Sequence, residues 1–533
     1  MNNFLHRSAL VSALIVTSLA IGLPITAFAA APAAHAPSPA GEVAWLPAAT
    51  DADVDRAFAQ ARAEGKPLLL YWGASWCPPC NQLKATLFNR QDFIERSRAF
   101  VPVHVDGDLP GAQKLGTRFR VRGYPTLILF NPAGAEITRL PGEADAPQVM
   151  QVLQLGMAGG RPVAAVLADA KAGKSLSANE WRMLAWYSWD TDDAQLVPEA
   201  ERATELATLA MAVPPGEPQV ATRLWLKALA ESDDGKGVMA DAALRERVMK
   251  VLADPAAARA QMDVLTNSPV EITRAITTKH AGGQRAAVLA AYNTALQRLE
   301  VDKTLSRADR MGALLGRIEL ARMDTADDAK SVKLPAPLVK DTREHVARDD
   351  REITDGYERQ AVITTGAYAL ERAGLMRESD ALLKANLAKS HSPYYLMSAL
   401  AGNAKARGDK TEALRWYEEA YRTSQGPATR LQWGASYVSA LVELSPQDAS
   451  RIERAASALI ADAATQPNAF YERSARSLQR AGTKLQTWNA NGAHAETIKR
   501  LQAQLGPVCE KLPTADAQRS TCDALLKSTA PVG

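Results

Sequence analysis

Cys77 and Cys80 close the stretch Leu68-Leu69-Leu70-Tyr71-Trp72-Gly73-Ala74-Ser75-Trp76-Cys77-Pro78-Pro79-Cys80, a C-x-x-C directly behind an apolar run. The run reads as a buried strand. Cys80 to Phe88 reads as an amphipathic helix, with Leu83 and Leu87 one turn apart. A strand–turn–helix order sets Cys77 at a helix N-terminus. There, unpaired N–H groups and the helix dipole favour a thiolate over a thiol. Pro78 and Pro79 fit the first turn, which has no use for their missing N–H. A nucleophilic thiolate with a second thiol beside it is the equipment of thiol–disulfide exchange. Two blander readings stand beside it. One is a static or inert pair. The other is zinc, which needs four ligands in a closed site, and the chain has no second C-x-x-C and no H-x₃₋₅-H.

The elements that would position this pair follow in chain order. Asp51 to Glu64 has helical apolar spacing (Val54, Ala57, Phe58, Ala61) and is closed by Gly65. Asp92 to Phe100 predicts a short helix. Val101, Val103 and Val105 alternate with Pro102, His104 and Asp106, the period of a strand. On that alternation His104 is expected to be a solvated side chain without a catalytic role. Ala112 to Phe119 predicts a helix. Thr126–Phe130 and Ala135–Leu140 flank the turn Asn131-Pro132-Ala133-Gly134, and Ala146–Met157 is a closing helix.

Trp76-Cys77-Pro78-Pro79-Cys80, together with Arg122-Gly123-Tyr124-Pro125-Thr126, resembles the thioredoxin superfamily over residues 42–158. The resemblance implies an α/β domain with a central mixed sheet and helices on both faces. It implies that Cys77 attacks the substrate and that Cys80 resolves the mixed disulfide. Pro125 would be cis, a minority state of roughly 5–6% of X–Pro bonds. The backbone before it would pair with an extended substrate segment. Trp76, Tyr124 and Pro125 are the substrate-facing residues, while Tyr71 and Trp72 are expected in the core. Two positions depart from the family pattern. The buried acid expected six residues before the first cysteine is Tyr71, and the lysine of the next strand is replaced by Pro102. The exchange chemistry is unaffected, but its rate and direction are left open.

The chain has 533 residues, too many for one core. Its net charge is +3, from 62 Lys+Arg against 59 Asp+Glu, with no basic block interleaved with aromatics, so nothing suggests a nucleic-acid partner. Arg7, the apolar run Ala9–Ile25 and Ala27-Phe28-Ala29 predict a cleaved signal peptide over 1–29 and export to the periplasm. An uncleaved anchor is the alternative. Residues 30–41 are a Pro/Ala-rich linker. No later stretch has the length of apolar sequence needed to span a bilayer, so no membrane span is expected in the mature chain.

From about residue 159 the composition turns to Ala, Leu, Glu, Arg and Lys at helical spacing. This predicts an all-helical region over 159–350 and a tetratricopeptide-like region over 351–533. Gly374 and Gly408 are 34 residues apart, and the second unit carries Ala401, Ala404, Ala413, Trp416, Tyr417 and Ala420. Such spacing resembles the tetratricopeptide repeat. Leu431 to Ala463 is a third helical unit with Leu444-Ser445-Pro446 in place of the glycine. Stacked units of this kind build a solenoid that either binds a protein or only forms a core. Cys509 and Cys522 flank Leu512-Pro513-Thr514-Ala515-Asp516 and predict a structural disulfide in an oxidising compartment.

Two functions follow as expectations. The first is an exported thiol–disulfide oxidoreductase, a reductase or interchange enzyme for protein disulfides, without metal or bound cofactor and re-reduced by another dithiol protein. The second is an interaction scaffold that holds a protein client on the helical region, with the redox pair as switch or remnant.

Overall fold

The computed structural model describes residues 41–527, apart from 110, 141, 143, 193–194, 233–236, 278–281 and 326–332. The predicted signal peptide and residues 30–40 of the predicted linker lie outside the described residues.

Five strands form one sheet: β1 (Leu46–Ala48), β2 (Leu68–Gly73), β3 (Val101–Asp106), β4 (Thr126–Phe130) and β5 (Glu136–Leu140), in spatial order β1-β3-β2-β4-β5. β3 runs parallel to β1 and β2, while β4 is antiparallel to β2 and β5. The mixed sheet places β2 at its centre, and every residue of that strand is buried. This is why the run from Leu68 is apolar on both faces rather than alternating. The accompanying helices are α1 (Asp51–Glu64), α2 (Pro78–Leu83), α3 (Gln91–Arg96), α4 (Ala112–Phe119) and α5 (Ala146–Met157). α1 and α4 bury Val54, Phe58, Leu115 and Phe119 against Leu68, Leu70, Val103 and Ile128. On the other face Leu83, Leu87, Phe93, Val149 and Leu153 pack on Leu69, Tyr71, Leu127 and Leu129.

Local chemistry fixes the helix ends. Thr50 and Asp53 form a reciprocal capping box at the start of α1, and Gly65 closes it at φ 63°. Asp145 and Gln148 cap α5 in the same way. The redox helix α2 continues into a single π turn, Lys84–Phe88, which buries Leu87 and Phe88. Strand β1 was not expected. It has three residues and contains Pro47, so neither length nor alternation marks it.

His104 corrects the reading from alternation. Its ring is half-buried and stacks on Tyr71 at 4.9 Å, with 12° between the planes. Trp45 lies edge-on to it at 6.2 Å. Both faces of this sheet are covered, so the polar half of the β3 alternation points into packed protein rather than water.

Beyond Met157 all regular structure among the described residues is helical. Helices α6 to α16 run between Val163 and Glu352, with α15 at Arg307–Arg322 and α16 at Ala336–Glu352. They are followed by α17 (Gly356–Arg372), α18 (Met376–Asn386), α19 (Pro393–Ala406), α20 (Lys410–Thr423) and α21 (Pro427–Leu444). The last are α22 (Ala449–Ala464), α23 (Glu472–Trp488), α24 (Ala495–Glu510) and α25 (Ala517–Ala524). Gly374 and Gly408 both take φ 79°. The following N–H groups, of Leu375 and Asp409, reach back to Leu370 and Ala404 at 2.8 and 2.9 Å. That closure needs the left-handed conformation at which glycine carries no Cβ penalty. The pair α21–α22 is instead broken at Ser445-Pro446.

Two apolar cores fill the helical region, one gathering residues from Val163 to Met323 and one from Met311 to Leu526. α15 serves both: Ala313 and Leu320 face the first, and Met311, Leu314 and Ile318 the second.

Candidate redox site

Strand β2 ends at Gly73, and the chain turns through Ala74, Ser75 and Trp76 into α2. Cys77 is the N-cap of α2, with Pro78 and Pro79 in the first turn. Its Sγ accepts a hydrogen bond from the Cys80 N–H at 3.2 Å. Cys77 and Cys80 form a disulfide with a Cα–Cα distance of 5.3 Å. An N-cap sulfur facing a backbone donor is the arrangement that stabilises negative charge on that sulfur once the bond is reduced.

The turn is held by a residue that sequence reasoning missed. The Asn81 side chain, fully buried, donates from Nδ2 to the Ser75 carbonyl at 2.7 Å and to the Cys77 carbonyl at 2.8 Å. Its position directly after the second cysteine was the only available signal.

The Tyr124–Pro125 bond is cis, and Tyr124 packs with Trp76 on the small cluster of Ala74, Cys77 and Cys80. Gln113 fixes the Tyr124 ring, donating to its hydroxyl at 3.1 Å and to the Gly107 carbonyl at 2.7 Å. The ring passes so close to Gly107 that a Cβ there would lie 2.4 Å from the hydroxyl oxygen.

The helical region reaches into this site from far along the chain. Trp76 stacks on Tyr395 of α19 at 5.7 Å and 15°, and the Arg473 guanidinium of α23 lies 4.3 Å from its ring centroid. The indole N–H donates to Asp108 Oδ2 at 3.0 Å. The Thr429 hydroxyl of α21 donates to Asp108 Oδ1 at 2.6 Å, with Arg473 Nη1 3.7 Å away. Burial pushes the Asp108 carboxyl up, against the pull of Arg473 and Thr429. His391 Nε2 lies 2.9 Å from the Ser75 carbonyl. On the outer side of α2, Gln82 donates to Asp309 of α15 at 2.6 Å. α17 packs along α2. Under this cover Cys77 is 2% exposed. None of these partners was legible, because the contacts with the helical region join residues hundreds of positions apart, and even Asp108 lies 32 positions from Trp76.

Beneath the redox helix, where the family pattern has an acid and a lysine, the chain sets Tyr71, His104, Asp106 and Lys84. The Tyr71 hydroxyl is buried without a hydrogen-bond partner among the described residues, and burial pushes it up. Burial brings His104 down to about 4 and also lowers Lys84. Lys84 sits 5.2 Å from the Tyr357 ring centroid.

Cys509 and Cys522 join α24 to α25 in a disulfide with a Cα–Cα distance of 5.6 Å, and both cysteines belong to the second apolar core.

Residues 54–156 match the family model of a thioredoxin-like domain. The chain therefore carries a thioredoxin-like domain, with the Cys77–Cys80 pair inside it, followed by a largely helical region. Among curated proteins it is similar to thiol:disulfide interchange protein DsbD 2 of Pseudomonas aeruginosa. The two are 32% identical over 127 residues, which is 23% of this chain and 22% of that protein. It is also similar to DsbD of Yersinia pestis, 34% identical over 99 residues, 18% of this chain and 16% of that one. The chain thus spans about a fifth of the length of these relatives. Among solved structures, a thioredoxin from Thermus thermophilus is 30% identical and covers 22% of this chain and 92% of its own, at a TM-score of 0.19. Among the described residues no helix is long and apolar enough to cross a membrane.

Proposed function

We propose that the protein is an exported, periplasmic thiol–disulfide oxidoreductase that reduces or interchanges disulfides of protein substrates. The observation that carries this reading is Cys77 at the N-cap of α2 with the Cys80 N–H on its sulfur. In the reduced protein the Cys77 thiolate attacks one sulfur of a substrate disulfide and releases the other as a thiolate. The Cys80 thiolate then attacks Cys77 Sγ in the mixed disulfide. This reforms the Cys77–Cys80 bond and frees the second substrate thiol. Two electrons pass from the dithiol to the substrate, and another dithiol protein returns them. Trp76, Tyr124 and Pro125 face the substrate in this scheme, and Cys509–Cys522 is a structural bridge. Export rests on Arg7, the apolar run to Ile25 and Ala27-Phe28-Ala29. The thiol:disulfide interchange for which the DsbD relatives are named supports the exchange chemistry.

The test is reduction of insulin by the dithiothreitol-reduced full chain, with Cys77→Ser as control. Turnover lost in the variant is expected. Turnover absent from the native chain, or indifferent to the substitution, would sink the reading.

A second reading, a tetratricopeptide-like scaffold with the redox pair as switch or remnant, is favoured by one observation. The redox face is packed against α17, α19 and α23, which leaves Cys77 little exposed. Acid-quenched thiol trapping in the native cells separates the two. A reduced Cys77/Cys80 pair beside an oxidised Cys509/Cys522 pair requires an electron donor and belongs to the enzyme.

A further inference from the structure

The helical region offers more than cover at Trp76. A groove of about 550 Å³ starts at the Trp76 ring and is walled by Tyr368, Tyr395 and Trp433, with Asn403 and Gln432 as polar groups. Tyr368 is exposed, as a ring awaiting a contact would be. Glu371 also lines this part, and burial pushes its carboxyl up, toward the neutral form. At Ser398, which borders both, the groove meets a second one of about 730 Å³. The second part has the opposite character. Its walls carry Arg476, Arg480 and Lys484 from α23 and Lys405 from α19.

The sequence of α23 explains the basic wall. Arg473, Arg476, Arg480 and Lys484 recur at intervals of three, four and four residues, one stripe along a helix. The opposite stripe, with Leu478, Ala481 and Leu485, is buried. The basic stripe begins at the redox site, since Arg473 is the residue lying on the Trp76 ring. Its charges are only partly answered. Arg476 pairs with Glu472 at 2.8 Å and Lys405 with Glu443 at 2.7 Å. Arg480 reaches only the Ser477 hydroxyl, at 3.1 Å, and among the described residues neither it nor Lys484 meets a carboxylate. The Arg480 guanidinium is held below its ordinary range, by desolvation first and then by Arg476 and Arg473. An aromatic trough that opens into an under-neutralised basic channel complements a segment with an apolar part followed by negative charge.

Resting on the oxidoreductase reading above, we infer that this groove selects the substrate. It binds an extended segment whose cysteine sits at Cys77, whose apolar side chains lie among Trp76, Tyr395 and Trp433, and whose acidic side chains lie along Arg476, Arg480 and Lys484. The geometry sets the spacing. Arg473 to Lys484 spans about 16 Å at the helical rise, which an extended peptide covers in about five residues. The acidic positions facing the stripe therefore fall within a stretch of about five residues.

The test separates binding from chemistry. Fluorescein-labelled peptides carry Ser in place of the cysteine, an aromatic residue beside it, and then glutamates, glutamines or lysines. Their binding to the oxidised full chain is read by anisotropy at low and at several-fold higher salt. The acidic peptide is expected to bind about ten-fold tighter than the glutamine peptide, as a few surface ion pairs allow, with the advantage fading as salt rises. Arg480 and Lys484 are both exposed, so the doubly substituted Arg480→Glu, Lys484→Glu chain should fold and should prefer the lysine peptide. That reversal cannot arise from misfolding. Equal binding of all three peptides, binding of none, or an acidic preference that survives the double substitution would each overturn the inference. In parallel, turnover of hydroxyethyl disulfide by the reduced native chain reads the chemistry alone. Its absence would remove the oxidoreductase reading without touching the binding result.

Discussion

The two disulfides of this chain are alike in span and in burial. Their Cα–Cα separations are 5.3 and 5.6 Å, and all four cysteines are at most 3% exposed. They differ in what surrounds the sulfur. Cys77 caps a helix and faces a backbone N–H, in a cluster packed by Trp76 and Tyr124, with Arg473 over the Trp76 ring. Cys509 lies near the end of α24 in an apolar core, and Cys522 faces it from α25. Reduction of the first pair leaves a thiolate with a donor already in place. Reduction of the second frees two thiols inside an apolar core, where burial disfavours the charged form. In the proposed scheme helix position, more than burial, separates the exchangeable bond from the structural one.

Breaking the first bond should show the larger effect. Cys77→Ser is expected to bring disulfide reduction to the uncatalysed background, and Cys80→Ser to leave a trapped mixed disulfide visible on a non-reducing gel. The double substitution Cys509→Ser, Cys522→Ser should leave turnover within about two-fold, because neither residue touches substrate in the proposed scheme. It should lower stability by about 3 kcal/mol, as loop closure over this span predicts. Denaturant titration under non-oxidising and oxidising conditions reads that loss. Turnover that followed the second bond instead would place the exchange chemistry at Cys509 and Cys522.

The cover over Trp76 sets the two bonds further apart. Thr429→Val removes the donor that holds the Asp108 carboxylate and should cost about 2 kcal/mol, in the range for a hydrogen bond to a charged group. The same substitution should raise the accessibility of Cys77 to a thiol alkylating agent in the reduced chain, while Cys509 and Cys522 remain unchanged.

The smallest expected effect lies beneath the redox helix. His104 is brought from the usual 6.5 to about 4 by burial, so the unfolded chain binds the extra proton first. Stability from this group is full above pH 6.5 and falls as pH drops through the window toward 4. Between pH 7 and pH 5 the loss should be about 1–2 kcal/mol. His104→Gln should flatten that slope. An unchanged slope would mean that the ring is hydrated in the folded protein.

The sheet, its covering helices and the redox turn were legible because their signals are local. Val54, Ala57, Phe58 and Ala61, closed by Gly65, mark the first helix by their spacing, and the apolar run at Leu68 marks the central strand. Strand β1 carried too few residues to show a period. His104 was misread because alternation says which face a residue takes, and here both faces are covered. The cover itself was invisible. Tyr395, Thr429 and Arg473 read as helix positions like any others, and only the folded chain brings them to Trp76. The helical texture after residue 159 predicted the class of that region but not the surface it offers to the redox site.

The sharing of α15 between two cores has a consequence for how the chain comes apart. A helix with Ala313 and Leu320 in one core and Ile318 in the other couples their melting, since neither can lose its packing without exposing the back of the other. α15 also receives Gln82 from the redox helix through Asp309. Heat should therefore take the chain through one cooperative endotherm, in which the thioredoxin-like domain and both helical cores are lost as a single calorimetric unit.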